Sequence, residues 1–139
     1  MENIIRFAVS LPEKLLESFD KLIAEKNSPS RSEAIRDLIR AHLIEQEWTE
    51  DNREVVGTIT IVYDHDTREL LDKLMDFQHH HNDIIVSSTH IHLDNHNCLE
   101  VIIVKGKGRD IKDMAEKLIS IRGVKHGKLT TTSTGKNIS

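Results

Sequence analysis

Residues 4–11 constrain this chain more than any other segment. Ile5, Phe7, Val9 and Leu11 alternate with Arg6, Ala8 and Ser10, so an extended backbone there has one apolar and one polar face. The segment is short and runs straight into helical patterns, which leaves its backbone groups without a neighbouring strand. The least costly partner is the same strand of a second chain. That pairing makes a two-stranded antiparallel ribbon with four helices beneath it, related by twofold symmetry.

The helices are legible from their starts. Ser10-Leu11-Pro12-Glu13 reads as a capping box with proline in the first turn, and Leu15, Leu16, Phe19, Leu22 and Ile23 follow at helical spacing to about Lys26. Asn27-Ser28-Pro29 interrupts the pattern. Ser30-Arg31-Ser32-Glu33 is a second capping box, opening a helix with Ala34, Ile35, Leu38, Ile39 and Leu43 on its inner face. Residues 1–47 therefore read as a strand-helix-helix domain. The polar stretch Glu45 to Glu54 has no apolar period, and residues 48–54 are assigned as a linker.

A new pattern occupies residues 55–139. Strands are predicted at 55–63, 84–93, 98–105 and 124–132, with helices at 67–77 and around Ile111 to Ile119. The order βαββαβ is the ferredoxin-like, split βαβ arrangement, so the fold class is α+β. Each part is small enough that self-association is expected. One cysteine excludes an internal disulfide framework and fits a reducing cytoplasm. The longest apolar runs, Ile59 to Val62 and Ile102 to Val104, fall far short of the roughly 20 residues of a membrane span, and no signal-peptide core precedes them. A formal net charge of −4 argues against a wholesale polyanion binder while leaving room for a local basic patch.

Eight of the nine histidines lie after the linker, and five fall between positions 79 and 92. On a strand, residues two apart share a face, so His90 and His92 point together while Ile91 and Leu93 are expected in the core. A hairpin loop centred on Asn95 sets His92 opposite Cys98 and His90 opposite Glu100. A strict four-residue loop at 94–97 would pair Leu93 with Cys98 and send the thiol to the other face. The first register is the one expected. It brings two imidazoles and a thiolate together, with Glu100 beside them to orient a ring. Each piece has a plainer reading: Cys98 as a small core residue, the two histidines as a solvated strand face, and His79 to His81 as a helix C-terminal cap. Taken together they favour a metal site whose donors suit Ni(II), Cu(II), Co(II) or Zn(II), with geometry deciding among them.

Two resemblances extend this reading. Arg6 to Leu11 and Arg31 to Asp37 resemble the ribbon-helix-helix DNA-binding domains, whose ribbon enters the major groove with outward side chains on base edges. Gln78-His79-His80-His81, Thr89-His90-Ile91-His92, Asn95 to Glu100, Val104-Lys105-Gly106 and Gly123 to Gly127 resemble the nickel-responsive transcriptional regulators of the NikR family, over almost the whole chain.

The resemblance implies square-planar Ni(II), one per subunit, held by His90, His92 and Cys98 of one chain and His79 of a neighbour. It places Gln78, His81 and Glu100 next to those ligands, and a potassium-like cation near Glu33 and Asp37. It further implies an ACT-type second domain that tetramerises as a dimer of dimers, and operator DNA read by Arg6, Ala8 and Ser10. Two departures are visible. Asn82 stands where some members carry a fourth histidine, and Ala8 where some carry threonine. Ala8 can touch a thymine methyl but cannot hydrogen-bond a base.

The function expected is a cytoplasmic, nickel-dependent repressor, of nickel-uptake genes as in the family. A sensor of copper, cobalt or zinc, a small-molecule-responsive ACT regulator and a metal chaperone are the alternatives. An enzyme is not expected, because all four metal positions are protein groups and no serine or cysteine sits in a base-bearing motif. Residues 1–47 carry 7 Lys+Arg against 9 Asp+Glu, so DNA affinity must come from local features. Arg6, Arg31 or Arg36 and the backbone amides opening the second helix are the candidates.

Overall fold

A computed structural model describes residues 2–139. The chain divides into two compact units, Met1–Arg40 and Ala41–Ser139.

In the first unit, α1 spans Glu13–Glu25 and α2 spans Arg31–Glu47, reaching past the boundary. The capping box expected at Ser10 does not form. Pro12 occupies the N-cap without a side-chain cap, and its carbonyl accepts from the Leu15 and Leu16 N–H groups at 3.0 and 3.1 Å. A residue preceding proline is driven out of helical geometry, so Leu11 cannot open a helix and Ser10 cannot cap one. The second box does form, with Ser30 Oγ accepting the Glu33 N–H at 3.1 Å. Asn27 turns the chain between the helices at φ 53°, a left-handed conformation that asparagine tolerates. Arg31 then clamps Asp20 through two hydrogen bonds of 2.8 and 2.7 Å, tying the start of α2 to α1.

No strand forms over residues 4–11. The apolar side chains expected to face inward are open in the single chain, Phe7 at 69% and Val9 at 60% exposure. A strand is defined by a ladder, and all four strands of the described residues lie in the second unit. The segment has the alternation of a strand and no second strand to pair with.

The second unit contains β1 (Glu54–Asp64), α3 (Leu70–His80), β2 (Ile85–His92), β3 (Asn97–Lys107), α4 (Gly108–Ile119) and β4 (Val124–Thr132). The strands form an antiparallel sheet in the order β2-β3-β1-β4, as the ferredoxin-like pattern requires. One sheet face carries Val55, Ile59, Ile61 and Tyr63 of β1 with Cys98, Ile102 and Val104 of β3. These pack with Leu70 and Leu74 of α3 and Ile111, Met114, Ala115 and Leu118 of α4.

Trp48, the first residue of the stretch expected to be a linker, is packed, while residues 49–52 are exposed. Trp48 is 4% exposed, and its Nε1–H donates to the Thr132 carbonyl at 2.8 Å. Gly57 makes room for the ring, since a Cβ there would stand 3.1 Å from Trp48 and 2.8 Å from the Thr130 carbonyl. A lone tryptophan in a charged run carries no period, but its apolar area is large enough to drive burial by itself.

Helix α3 starts at Leu70 and not at Thr67, because Glu69 sits at φ 66° and breaks helical geometry there. It runs further than expected at the other end, so His79 and His80 fall in its last turn and His81 caps it.

Candidate metal centre

The β2–β3 hairpin sets the site. The Leu93 N–H donates to the Asn97 carbonyl at 2.8 Å. The Asp94 carboxylate accepts from the His96 and Asn97 N–H groups and from Asn97 Nδ2, at 2.8, 2.7 and 2.9 Å. The Asn97 side-chain amide, followed by these backbone donors, holds Asp94 down to about 2. The resulting register pairs His92 with Cys98, Ile91 with Leu99 and His90 with Glu100. This is the first of the two registers considered.

It also reverses one expectation. Directly paired residues share a face, and Cys98 is fully buried under the helices with Glu100 nearly so. His90 and His92 therefore lie on the helix side of the sheet. Ile91 and Leu93 lie on the other side, 49% and 50% exposed, and not in the core. Alternation alone gives two faces without saying which one the helices cover.

Cys98 Sγ stands 3.4 Å from His92 Nδ1 and 3.3 Å from His65 Nδ1. One ligand atom from each of these three residues lies within 4.8 Å of the others. The His90 ring is 5.1 Å from that of His92 and 6.3 Å from that of Tyr63. His65 was not singled out from the sequence, yet the signal was present. It is the next residue of the inward row Ile59, Ile61, Tyr63, and Tyr63 pairs with Cys98 across the sheet. The His65 N–H donates to the His96 carbonyl at 2.9 Å, which holds the end of β1 against the hairpin.

Burial raises the Cys98 thiol above its ordinary value, and the charges of Asp66, Asp94, Glu100 and Asp64 raise it further. The thiol is protonated at neutral pH, and a metal must displace that proton to bind. A thiol flanked by two imidazole nitrogens is a donor set that suits borderline first-row ions.

Glu100 was expected to orient an imidazole. It accepts instead from Gln78 Nε2 and, at 3.5 Å, from the Tyr63 hydroxyl. Burial is the main cause that pushes Tyr63 up to about 12, with Glu100 adding to it. Gln78 Oε1 in turn accepts from Ser88 Oγ at 3.3 Å. These contacts tie the end of α3, and hence the backbone beside His79, to β2 and β3. His79 itself is exposed and outside the cluster around Cys98. His80 and His81 donate through Nδ1 to the Asp76 and Phe77 carbonyls at 2.7 Å each, satisfying the helix end as a C-terminal cap does. The His81 ring also stacks on Phe77 at 4.2 Å.

In the first unit, Arg6, Ala8 and Ser10 are all exposed. Arg31 is engaged by Asp20, so it does not stand ready for a phosphate. Glu33 and Asp37 hold guanidinium groups: Arg40 is 3.3 Å from Glu33 and 3.1 Å from Asp37, and Arg36 is 2.9 Å from Glu33. No helix among the described residues is long and apolar enough to cross a membrane.

Comparison with known proteins places both units. Residues 5–46 match the family described as ribbon-helix-helix protein, copG family, and residues 56–132 match the NikR C-terminal nickel-binding domain. A protein of Geobacter sulfurreducens assigned as a nickel-responsive regulator is 57% identical over 138 residues, covering 99% of each chain. Proteins of Pyrococcus horikoshii and Thermococcus onnurineus with the same assignment are 57% and 56% identical over 136 residues, covering 98% of this chain and 99% of theirs.

Proposed function

The chain belongs to the nickel-responsive regulator family, a family of regulators and not of enzymes, and from that premise we propose that it represses transcription when Ni(II) fills a site shared between subunits. The ligands are His90, His92 and Cys98 of one chain and His79 of the partner subunit, one ion per chain, with Gln78, His81 and Glu100 holding the surrounding frame. The observation that carries this reading is the hairpin register. It sets His92 Nδ1 3.4 Å from Cys98 Sγ and His90 on the same face.

When bound, Ni(II) would supply a fixed link between subunits. The chain's own residues do the rest. Cys98 gives up its proton and becomes a thiolate, His92 and His90 present ring nitrogens from one strand, and the Gln78–Glu100 contact anchors the end of α3 beside His79. The protein assembles as a homotetramer, a dimer of dimers, in the cytoplasm. The paired 4–11 segments of two chains enter the major groove of operator DNA upstream of nickel-uptake genes, with Arg6, Ala8 and Ser10 on base edges. A potassium-like cation between Glu33 and Asp37 would have to compete with Arg40 for both carboxylates.

Nickel titration followed by absorption, paired with a gel-shift on operator DNA, tests the proposal. A thiolate-to-nickel band that saturates at one ion per chain, together with metal-dependent DNA binding, is the expected result. DNA binding that is the same with and without nickel would refute it.

A further inference from the structure

We propose that Asp64, Asp66 and His96 form a second divalent-cation site in each chain, separate from the thiolate centre and beyond the nickel reading. A carboxylate oxygen of each aspartate and a ring nitrogen of His96 all lie within 4.8 Å of one another. His65, between the two aspartates in sequence, reaches Cys98 Sγ at 3.3 Å instead. The tripeptide that ends β1 thus contributes to two donor groups: its carboxylates gather at His96 and its imidazole joins the thiol.

The donors are held by backbone bonds that do not use the ligating atoms of His96. The His65 N–H donates to the His96 carbonyl at 2.9 Å, and the His96 N–H donates to Asp94 Oδ1 at 2.8 Å. Asp64 Oδ1 accepts the Asp66 N–H at 2.9 Å, leaving its other oxygen for an ion. His96 Nδ1 lies 2.5 Å from Asp66 Oδ2, and Asp66 Oδ1 lies 3.3 Å from His65 Nε2. Lys125, which approaches this end of the sheet, places its ammonium on Asn97 Oδ1 at 2.7 Å.

Two carboxylates and one imidazole form an oxygen-rich set that suits a hexacoordinate ion such as Mn(II), Co(II) or Ni(II), with water in the open positions. The two carboxylates balance the charge of a divalent ion. The thiolate centre, with a soft sulfur donor, selects differently. An ion at Asp64, Asp66 and His96 would cross-link the loop leading into α3 to the hairpin that carries His92 and Cys98, stiffening the frame of the first site from outside it.

Mn(II) is the probe, because a hard ion disfavours thiolate. The full chain is titrated with Mn(II) and followed by the electron paramagnetic resonance of the free aquo ion. The expected result is one Mn(II) bound per chain in the unaltered protein and in Cys98→Ala. Affinity should fall at least about tenfold in both Asp66→Asn and His96→Ala, two exposed positions. Asp66→Asn should still develop the nickel–thiolate absorption, which separates loss of this site from loss of the fold. Equal Mn(II) binding by Asp66→Asn, His96→Ala and the unaltered protein would overturn the proposal. So would binding that disappears in Cys98→Ala and survives in Asp66→Asn, because the ion would then sit at the thiol.

Discussion

Replacing Trp48 tests whether the segment after α2 is linker or core. The side chain is almost wholly buried, belongs to the core cluster, and donates its Nε1–H to the Thr132 carbonyl. Truncating a buried tryptophan to alanine costs about 3–5 kcal/mol. Trp48→Phe keeps most of the apolar contact but leaves the Thr132 carbonyl without its donor, a loss of about 1–2 kcal/mol. A solvated linker residue would move stability by no more than about 0.5 kcal/mol in either direction. Gly57→Ala approaches the same contact from the other side. Its Cβ would sit 2.8 Å from the Thr130 carbonyl and 3.1 Å from the ring, and overpacking of this kind costs about 1–3 kcal/mol. Trp48 is the chain's only tryptophan, so its substitution removes the fluorescence reporter and denaturant unfolding is followed by far-UV circular dichroism. Protein concentration is kept fixed, since association contributes to apparent stability. A Trp48→Ala protein less than about 1 kcal/mol below the unaltered one would refute the reasoning.

The remaining expectations concern the two sites and acid. Nickel affinity should fall as pH drops, because the raised Cys98 thiol carries a proton that each bound ion must displace; affinity that is level between about pH 8 and pH 5 contradicts the ligand set. Cys98→Ala should abolish the nickel-induced gain in operator affinity while keeping salt-sensitive non-specific binding, and Arg6→Ala should abolish specific binding while leaving the nickel absorption unchanged; gel-shifts with and without metal read both. His79→Ala should remove the stabilisation of the tetramer by nickel, read by ultracentrifugation at low protein concentration, and a tetramer as stable with nickel as the unaltered one would exclude a ligand in trans. Asp94 takes up a proton near 3.8 when unfolded but only near 2 in the folded hairpin, so its contribution is complete above about pH 4 and is lost as pH falls toward 2. Melting temperature against pH should show this acid-dependent loss diminished in Asp94→Ala.

Much of the second unit was legible because its periods change sharply: two-residue alternation in β1 and β3, and helical spacing in α4, each ended by glycine or a turn. The hairpin register was legible too, since the loop length allowed only two choices. What sequence could not give was orientation. His90, Ile91, His92 and Leu93 alternate whichever face the helices cover, and hydrophobicity pointed to the wrong one. Ile91 and Leu93 face away from the helices even though they are apolar, while two imidazoles and a carboxylate lie on the covered side. His65 was missed because it sits in Tyr-Asp-His-Asp, where no apolar neighbour continues the inward row. Its role follows only from the Tyr63–Cys98 pairing. Ser10 was misread because the cap signature was weighed without the restriction that Pro12 places on Leu11.

The displaced apolar residues carry the argument one step further. A sheet face with Ile91, Leu93 and Ile103 each at least 40% exposed is costly in water for a chain that buries its other face so completely. Large exposed side chains are tolerated singly, but Ile91 and Leu93 follow one another on this face where β2 ends, and Ile103 adds to it further along β3, opposite Ser87. In the first unit, Phe7 and Val9 of the unpaired segment and Leu15, Leu38 and Ile39 of the two helices are open in the same way. Each unit is therefore short of a surface that would cover it, and in each the exposed residues follow a regular strand or helix period. Such a period is what a second copy of the same chain can match, because an isologous contact presents each patch to itself. The proposed nickel site has a donor outside the cluster in the same way. His92 and Cys98 are within reach of each other in one chain, while His79, on the last turn of α3, has no place in that group. Association that brings His79 of the partner subunit to this group would complete the proposed ligand set, so assembly and nickel binding should rise and fall together.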